Sequence, residues 1–134
     1  MRKGKLLNSN IVSVLAKLGH TDTITIADAG LPIPGKVERI DLALLKGVPS
    51  FLETLMIVAS DMEIEKITLA EEIKTHNPEV LNVIKEKFEQ IEITFVSHEE
   101  FKQLSSGSKA IIRTGECTPY ANIILQSGVN FEEA

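Results

Sequence analysis

The sequence predicts an α/β domain with a mostly parallel central sheet between two helical layers. Three observations carry that prediction. Short runs rich in β-branched residues, such as Thr23–Ala27 and Ile91–Val96, have the character of buried strands. Between them lie segments whose apolar residues recur at helical spacing, bounded by capping residues, Gly and Pro. The two kinds alternate along the chain, the pattern of a three-layer α/β/α sandwich. A length of 134 residues suits one domain spanning 1–134, with Glu132-Glu133-Ala134 as a frayed polar end.

The first helix is Asn8–Leu18, where Ile11, Val14, Leu15 and Leu18 form one apolar stripe. Asn8, Ser9 or Asn10 can cap its start and Gly19 its end. Thr23–Ala27 is the first strand, and Val37–Leu45 a second that runs into a short helical turn. Gly47-Val48-Pro49 breaks the chain. Ser50 and Glu53 form a capping box for a helix carrying Phe51, Leu52, Leu55, Met56 and Ala59. Glu65–Ala70 is the third strand. Asn77-Pro78, a cap followed by Pro, opens a helix that runs to about Phe88. Ile91–Val96 is the fourth strand, and Ser97 with Glu100 caps a helix whose first residue is His98. Lys109–Arg113 and Ala121–Gln126 are the last strands, joined through a turn at Gly115–Pro119.

Composition narrows the function. A formal charge of −5 without a basic stripe disfavours a nucleic-acid partner. Cys117 is the single cysteine, so neither an internal disulfide nor a paired-cysteine metal site can form, which fits a reducing compartment. No apolar run is long enough for a membrane span, and the N-terminus lacks the apolar core of a signal peptide. The three histidines have no metal-ligand spacing, and there is no phosphate loop, dinucleotide fingerprint or nucleophile elbow. What remains is a cofactor-free acid–base enzyme or a binding protein.

Chemistry concentrates in Gly19–Pro34. A strand of about five residues separates His20 from Asp28, and Pro32 and Pro34 stiffen the loop that follows. Ligands of open α/β sheets lie outside the carboxyl ends of strands, where Asp28 stands. The alternative for Asp28 is an Asx-turn into Ala29-Gly30. His20 follows a helix C-terminus, which favours a charged imidazole able to give a proton, or one that merely complements the helix dipole. His98, at a helix N-terminus, is favoured neutral, with Lys102 one turn later; the alternative is a polar residue in an exposed first turn. Tyr120 and Asn122, two apart on a strand, point the same way and suit a polyhydroxylated ligand, or are an edge-strand surface pair. Asp22 is a turn residue, His76 has no role, and Arg113 and Glu116 form an ion-paired turn.

Three stretches in register then resemble one family. Gly19-His20 with Asp28-Ala29-Gly30-Leu31-Pro32-Ile33-Pro34, Ile40–Leu44 with Gly47–Phe51, and Arg113–Glu116 with Thr118–Asn122 resemble the D-ribose pyranase and fucose mutarotase family. The resemblance implies a cytoplasmic isomerase that exchanges pyranose and furanose forms of D-ribose without metal or cofactor. It implies His20 as proton donor and Asp28, His98, Tyr120 and Asn122 as sugar ligands. It further implies a homo-oligomer, a decamer of two stacked pentamers, with sites near subunit contacts. Competing readings are a non-catalytic ribose-binding partner of an uptake system and a fucose-type mutarotase. A two-histidine ribonuclease using Lys102 on phosphate is disfavoured by the acidic charge.

Overall fold

A computed structural model describes residues 1–131; the expectation for Glu132–Ala134 lies outside the described residues. The elements follow as α1 (Ser9–Lys17), β1 (Thr23–Ala27), β2 (Glu38–Asp41), α2 (Phe51–Ala59), β3 (Ile64–Ala70), α3 (Ile73–His76), α4 (Pro78–Lys87), β4 (Glu92–Val96), α5 (His98–Ser105), β5 (Ala110–Arg113) and β6 (Ile123–Ser127). The six strands form one sheet in the order β2-β5-β1-β6-β3-β4. Parallel pairing joins β2 to β5, β5 to β1 and β3 to β4. Only β6 runs the other way, antiparallel to β1 on one side and β3 on the other.

Side-chain alternation along the strands sorts the core into two faces. Ile24, Ile26, Ile67, Leu69, Ile112, Ile123 and Leu125 point to the larger face, packed under α1, α2, α3 and α4 through Ile11, Phe51, Leu55, Ile73 and Ile84. Ala27, Ile111 and Ile124 point to the other, covered by Phe101 of α5 and by Leu31 and Val37 of the loop after β1. The second helical layer is thus one helix plus a loop. On this thinner side a buried hydrogen bond joins the Thr25 and Ser108 hydroxyls at 2.7 Å.

Most caps are where the residue types place them. Asn8 Oδ1 accepts from Ile11 N–H, Ser50 Oγ from Glu53 N–H and Ser97 Oγ from Glu100 N–H. Four details differ from expectation. Gly19 does not end α1; Leu18 is its C-cap in extended conformation, and the positive φ of this turn, 73°, falls on Thr21. Beyond β2 the chain makes no helical turn but a tight reversal, with Leu44 N–H donating to Val48 O and Gly47 at φ 87°. The short α3 has no capping signature and is held by burial of Ile73. Asn77 makes no cap bond for α4, because its amide is engaged elsewhere.

The reversal at 44–48 docks on Gly115. Gly47 N–H donates to Gly115 O at 2.6 Å, and Gly115 N–H donates to Pro49 O at 2.9 Å. A Cβ on residue 115 would lie 2.5 Å from both Leu45 O and Val48 O, backbone atoms that cannot give way without moving the reversal. The glycine is therefore what lets the loop between β5 and β6 approach that closely.

Candidate active site

Five parallel strands put their carboxyl ends on one edge of the sheet, and β6, running opposite, begins at that edge. Asp28 follows β1 there, His98 follows β4, and residues 114–122 lead from β5 into β6. Four of the five expected site residues therefore share one edge.

Asp28 and Asn122 form a closed pair. Asn122 Oδ1 accepts from Asp28 N–H at 2.8 Å, and its Nδ2 donates to Asp28 Oδ2 at 3.1 Å. The other oxygen, Oδ1, accepts from Gly30 N–H at 3.0 Å. So the Asx-turn is present, and it fixes the orientation of the carboxylate. Asn122 is fully buried, and its Oδ1 and one Nδ2 proton engage Asp28.

Tyr120 and Asn122 are not neighbours on a strand face. β6 starts at Ile123, and Tyr120 sits in a turn at φ 56°, its carbonyl accepting from Asn122 N–H at 2.9 Å. Its ring points toward the end of β4, meeting His98 edge-on at 5.1 Å between centroids. His76, expected to be idle, lies 5.4 Å from the same ring. Asn77 holds this turn: its Nδ2 donates to Thr118 Oγ1 at 3.0 Å and to Pro119 O at 2.9 Å. Glu72 accepts His98 N–H with both carboxylate oxygens, at 3.0 and 3.1 Å, and so fixes where α5 begins. His98 Nδ1 is buried with no hydrogen-bond partner. Buried polar atoms are normally paired, so this nitrogen stands out among the described residues.

His20 is the exception. It precedes β1 while Asp28 follows it, and the five-residue strand alone spans roughly 17 Å at ~3.3 Å per residue. Within one chain the imidazole stands at the opposite edge of the sheet from the other four. Its Nε2 lies 2.9 and 3.1 Å from the two oxygens of Glu65.

Arg113 and Glu116 do not pair with each other. Arg113 Nε donates to Ala29 O at 3.0 Å, and its Nη1 meets Asp41 at 3.2 Å. Asp22 Oδ2 accepts from Gly19 N–H, a turn role. Lys102 Nζ is 2.9 Å from Glu99, whose carboxyl is held below its ordinary value by the hydrogen bond from that lysine. Glu116 accepts from Phe51 N–H at 2.9 Å and Thr118 Oγ1 at 2.7 Å, tying the site loop to the start of α2. Burial pushes its carboxyl up, but those bonds outweigh it and the net shift is downward. A carboxylate with a depressed folded value stabilises fully above the unfolded value and loses that contribution as pH falls through the folded one. Glu116→Gln is accordingly expected to lose stability near neutral pH and much less below about pH 4, checked by urea midpoints across that range.

Open clefts flank the cluster. One of about 360 Å³ runs along Asp28, Gly30, Glu116 and Thr118. Another of about 510 Å³ is bordered by Glu72, His76, Phe95 and Ser97, the residues around His98 and Tyr120. Among the described residues no group of His, Cys, Asp and Glu is placed to hold a metal, and no helix is long and apolar enough to cross a membrane.

Glu72, His76 and Asn77 are the site neighbours that sequence reasoning missed. Asn77 carried a signal, but one that pointed to a helix cap. Glu72 and His76 carried none, since only the unanticipated α3 brings them to this edge.

Comparison with known proteins gives consistent matches. The sequence profile of the RbsD / FucU transport protein family matches residues 1–130. The D-ribose pyranase of Geobacillus thermodenitrificans is 58% identical over 131 residues, covering 98% of this chain and 99% of that protein. The D-ribose pyranase of Haemophilus influenzae is 54% identical over 139 aligned positions, covering 98% and 100%. Among solved structures, Bacillus subtilis RbsD complexed with D-ribose superposes with a TM-score of 0.96 at 52% identity, covering 98% of this chain and 100% of that one. The fucose mutarotase of Streptococcus pneumoniae in complex with L-fucose gives a TM-score of 0.76 at 27% identity, covering 92% and 94%.

Proposed function

Since the chain belongs to the RbsD / FucU transport protein family, we propose that it acts as a D-ribose pyranase, interconverting the pyranose and furanose rings of D-ribose. The observation that carries the site assignment is the meeting of Asp28, Asn122, Tyr120 and His98 on one sheet edge, with a buried imidazole nitrogen left unpaired beside the tyrosine. A carboxylate, a phenol and an imidazole bordering open clefts suit a molecule that is mostly hydroxyl groups. Tyr120 and His98 also give a sugar ring an aromatic surface to lie against.

The chemistry is proton transfer alone. A proton delivered to the pyranose ring oxygen and another taken from the anomeric hydroxyl break the bond between C1 and that oxygen. The open aldehyde is then attacked at C1 by the C4 hydroxyl, whose proton is lost as the carbonyl oxygen gains one. Nothing is oxidised or reduced. Placed acids and bases contribute about 10²–10⁴-fold to such steps. His20 is the acid; the base is Asp28, neutral His98, or a water that either holds.

Because His20 stands a strand's length from Asp28, a second copy of the chain supplies it. An exposed apolar reversal supports that arrangement. Leu44, Leu45 and Val48 are 77%, 60% and 44% exposed, and their turn docks on Gly115 in the loop that leads to Tyr120. A contact there covers apolar surface and places a neighbour beside the site edge. The assembly is a decamer of two pentameric rings, working in the cytoplasm on sugar that has entered the cell and supplying ribofuranose for phosphorylation.

The test is magnetisation transfer between ribose ring forms at equilibrium. Catalytic amounts of the protein should accelerate pyranose–furanose exchange of ribose, and fucose or galactose less. Binding of ribose with exchange left at its rate in water would overturn the reading in favour of a binding partner.

A further inference from the structure

The N-terminal edge of the sheet holds His20 in an arrangement that the acid role alone does not account for. Glu65 contacts His20 Nε2 with both oxygens, at 3.1 and 2.9 Å, and its Oε1 also accepts from Gln126 Nε2 at 2.7 Å. Three features of different elements put that carboxylate there. The pairing of β3 with β6 shifts register between Ile64 and Lys66, so Glu65 falls on a bulge. Bulges re-aim a side chain out of the regular alternation. Gln126, opposite Lys66 on β6, anchors one carboxylate oxygen. Gly128, just past β6, leaves the space: a Cβ there would come within 3.1 Å of Glu65 Cβ and 3.5 Å of its Oε2. An incidental surface ion pair needs none of this.

We propose that Glu65 is a positioning residue that holds the His20 ring by its Nε2–H, leaving Nδ1 as the nitrogen that exchanges protons with the sugar. The inference rests on His20 being the acid. A neutral imidazole carries one proton, and the nitrogen that keeps it is set by what the other faces. A carboxylate on Nε2 keeps the proton there, so the labile proton comes and goes at Nδ1. Glu65 remains ionised and takes no proton, since the hydrogen bond from Gln126, and then that from His20, hold its carboxyl below the ordinary value. Other charged groups at this edge are Asp22, which accepts from Gly19 N–H, Glu63 next to Gly128, Lys17, Glu38 and Lys109 around one cleft with Asp22, and Lys66 facing Glu92. None of them is hydrogen-bonded to the imidazole, whose bonded partner among the described residues is Glu65.

The experiment uses the assembled protein labelled with ¹⁵N-histidine. Only three histidines are present, and His20→Gln identifies the resonance of interest. Through a pH titration, His20 Nε2 is expected to stay protonated while Nδ1 alone changes state; in Glu65→Ala the two nitrogens should average. Ribose exchange in Glu65→Ala should fall about tenfold to a hundredfold, the range known for losing a group that orients a metal-bound histidine, with KM for ribose little changed. Glu65→Asp should recover part of the rate and Glu65→Gln less. A neutral His20 protonated on Nδ1, or a Glu65→Ala enzyme as fast as the parent, overturns the proposal. If instead His20→Gln retains full exchange, it is the assignment of His20 as acid that has failed, and that result is separable because it appears without touching Glu65.

Discussion

His20→Ala is expected to lower the catalysed ribose exchange by about 10²–10⁴-fold, the whole contribution of a general acid, while ribose still binds. In the single chain the side chain is 54% exposed and packs into no core, so the variant should fold as the parent does, and its assembly is verified by sedimentation before rates are compared. The measurement is exchange by magnetisation transfer alongside ribose affinity by calorimetry. A variant that keeps its rate would remove the proton donor from the mechanism. The geometry adds a sharper form of the test. His20 and Asp28 lie at opposite ends of β1, so a site that uses both takes them from two copies. His20→Ala and Asp28→Ala chains, each inactive alone, should regain part of the activity when co-assembled. No recovery from a verified mixed oligomer would mean that the two residues do not share a site.

The second large effect is expected at Asn122. This side chain is fully buried and makes both bonds that fix Asp28, accepting from its N–H and donating to its carboxylate. Asn122→Ala leaves a part-buried backbone N–H without its acceptor, costing stability at the low end of about 1–3 kcal/mol, and frees the carboxylate to swing. Ribose affinity should fall about tenfold, because binding must then order a carboxylate that Asn122 no longer holds. Asn122→Asp is the informative companion. It keeps the acceptor for Asp28 N–H but sets two carboxylates about 3 Å apart, where like charges oppose each other. It should bind ribose no better than the alanine variant. Unchanged affinity in both would show that Asp28 needs no partner to hold sugar.

Much of this architecture is legible in the sequence, and the reasons for success and failure are physical. Strand β1 and helices α1, α2 and α5 announce themselves through local chemistry: β-branched runs, Asn8, and the boxes at Ser50 and Ser97. The edge that gathers Asp28 and His98 follows from parallel strands. Tertiary competition is what misleads. Asn77 has the type and place of a helix cap, yet its amide satisfies Thr118 and Pro119 more than forty residues away. Tyr120 and Asn122 have strand spacing, yet Asn122 is drawn to Asp28 and the backbone at Tyr120 turns left-handed to allow it. Arg113 reads as a partner for nearby Glu116, yet the parallel register sets Asp41 beside it across β2 and β5. His20 and Asp28 look adjacent because eight positions is a short count, but a strand converts a short count into a long distance.

The reversed strand β6 has a consequence for how the molecule comes into being. It lies between a group of three strands, β2-β5-β1, and a pair, β3-β4, and it is the last of the six to be synthesised. Without β6 the strand order falls into two groups, with β1 and β3 as unpaired borders, and unpaired strand borders are where wrong pairing starts. Closure joins residues 23–26 to 123–126, a contact order that makes the search slow. The same event delivers Asn122 to Asp28, so that hydrogen-bonded pair waits on completion of the sheet.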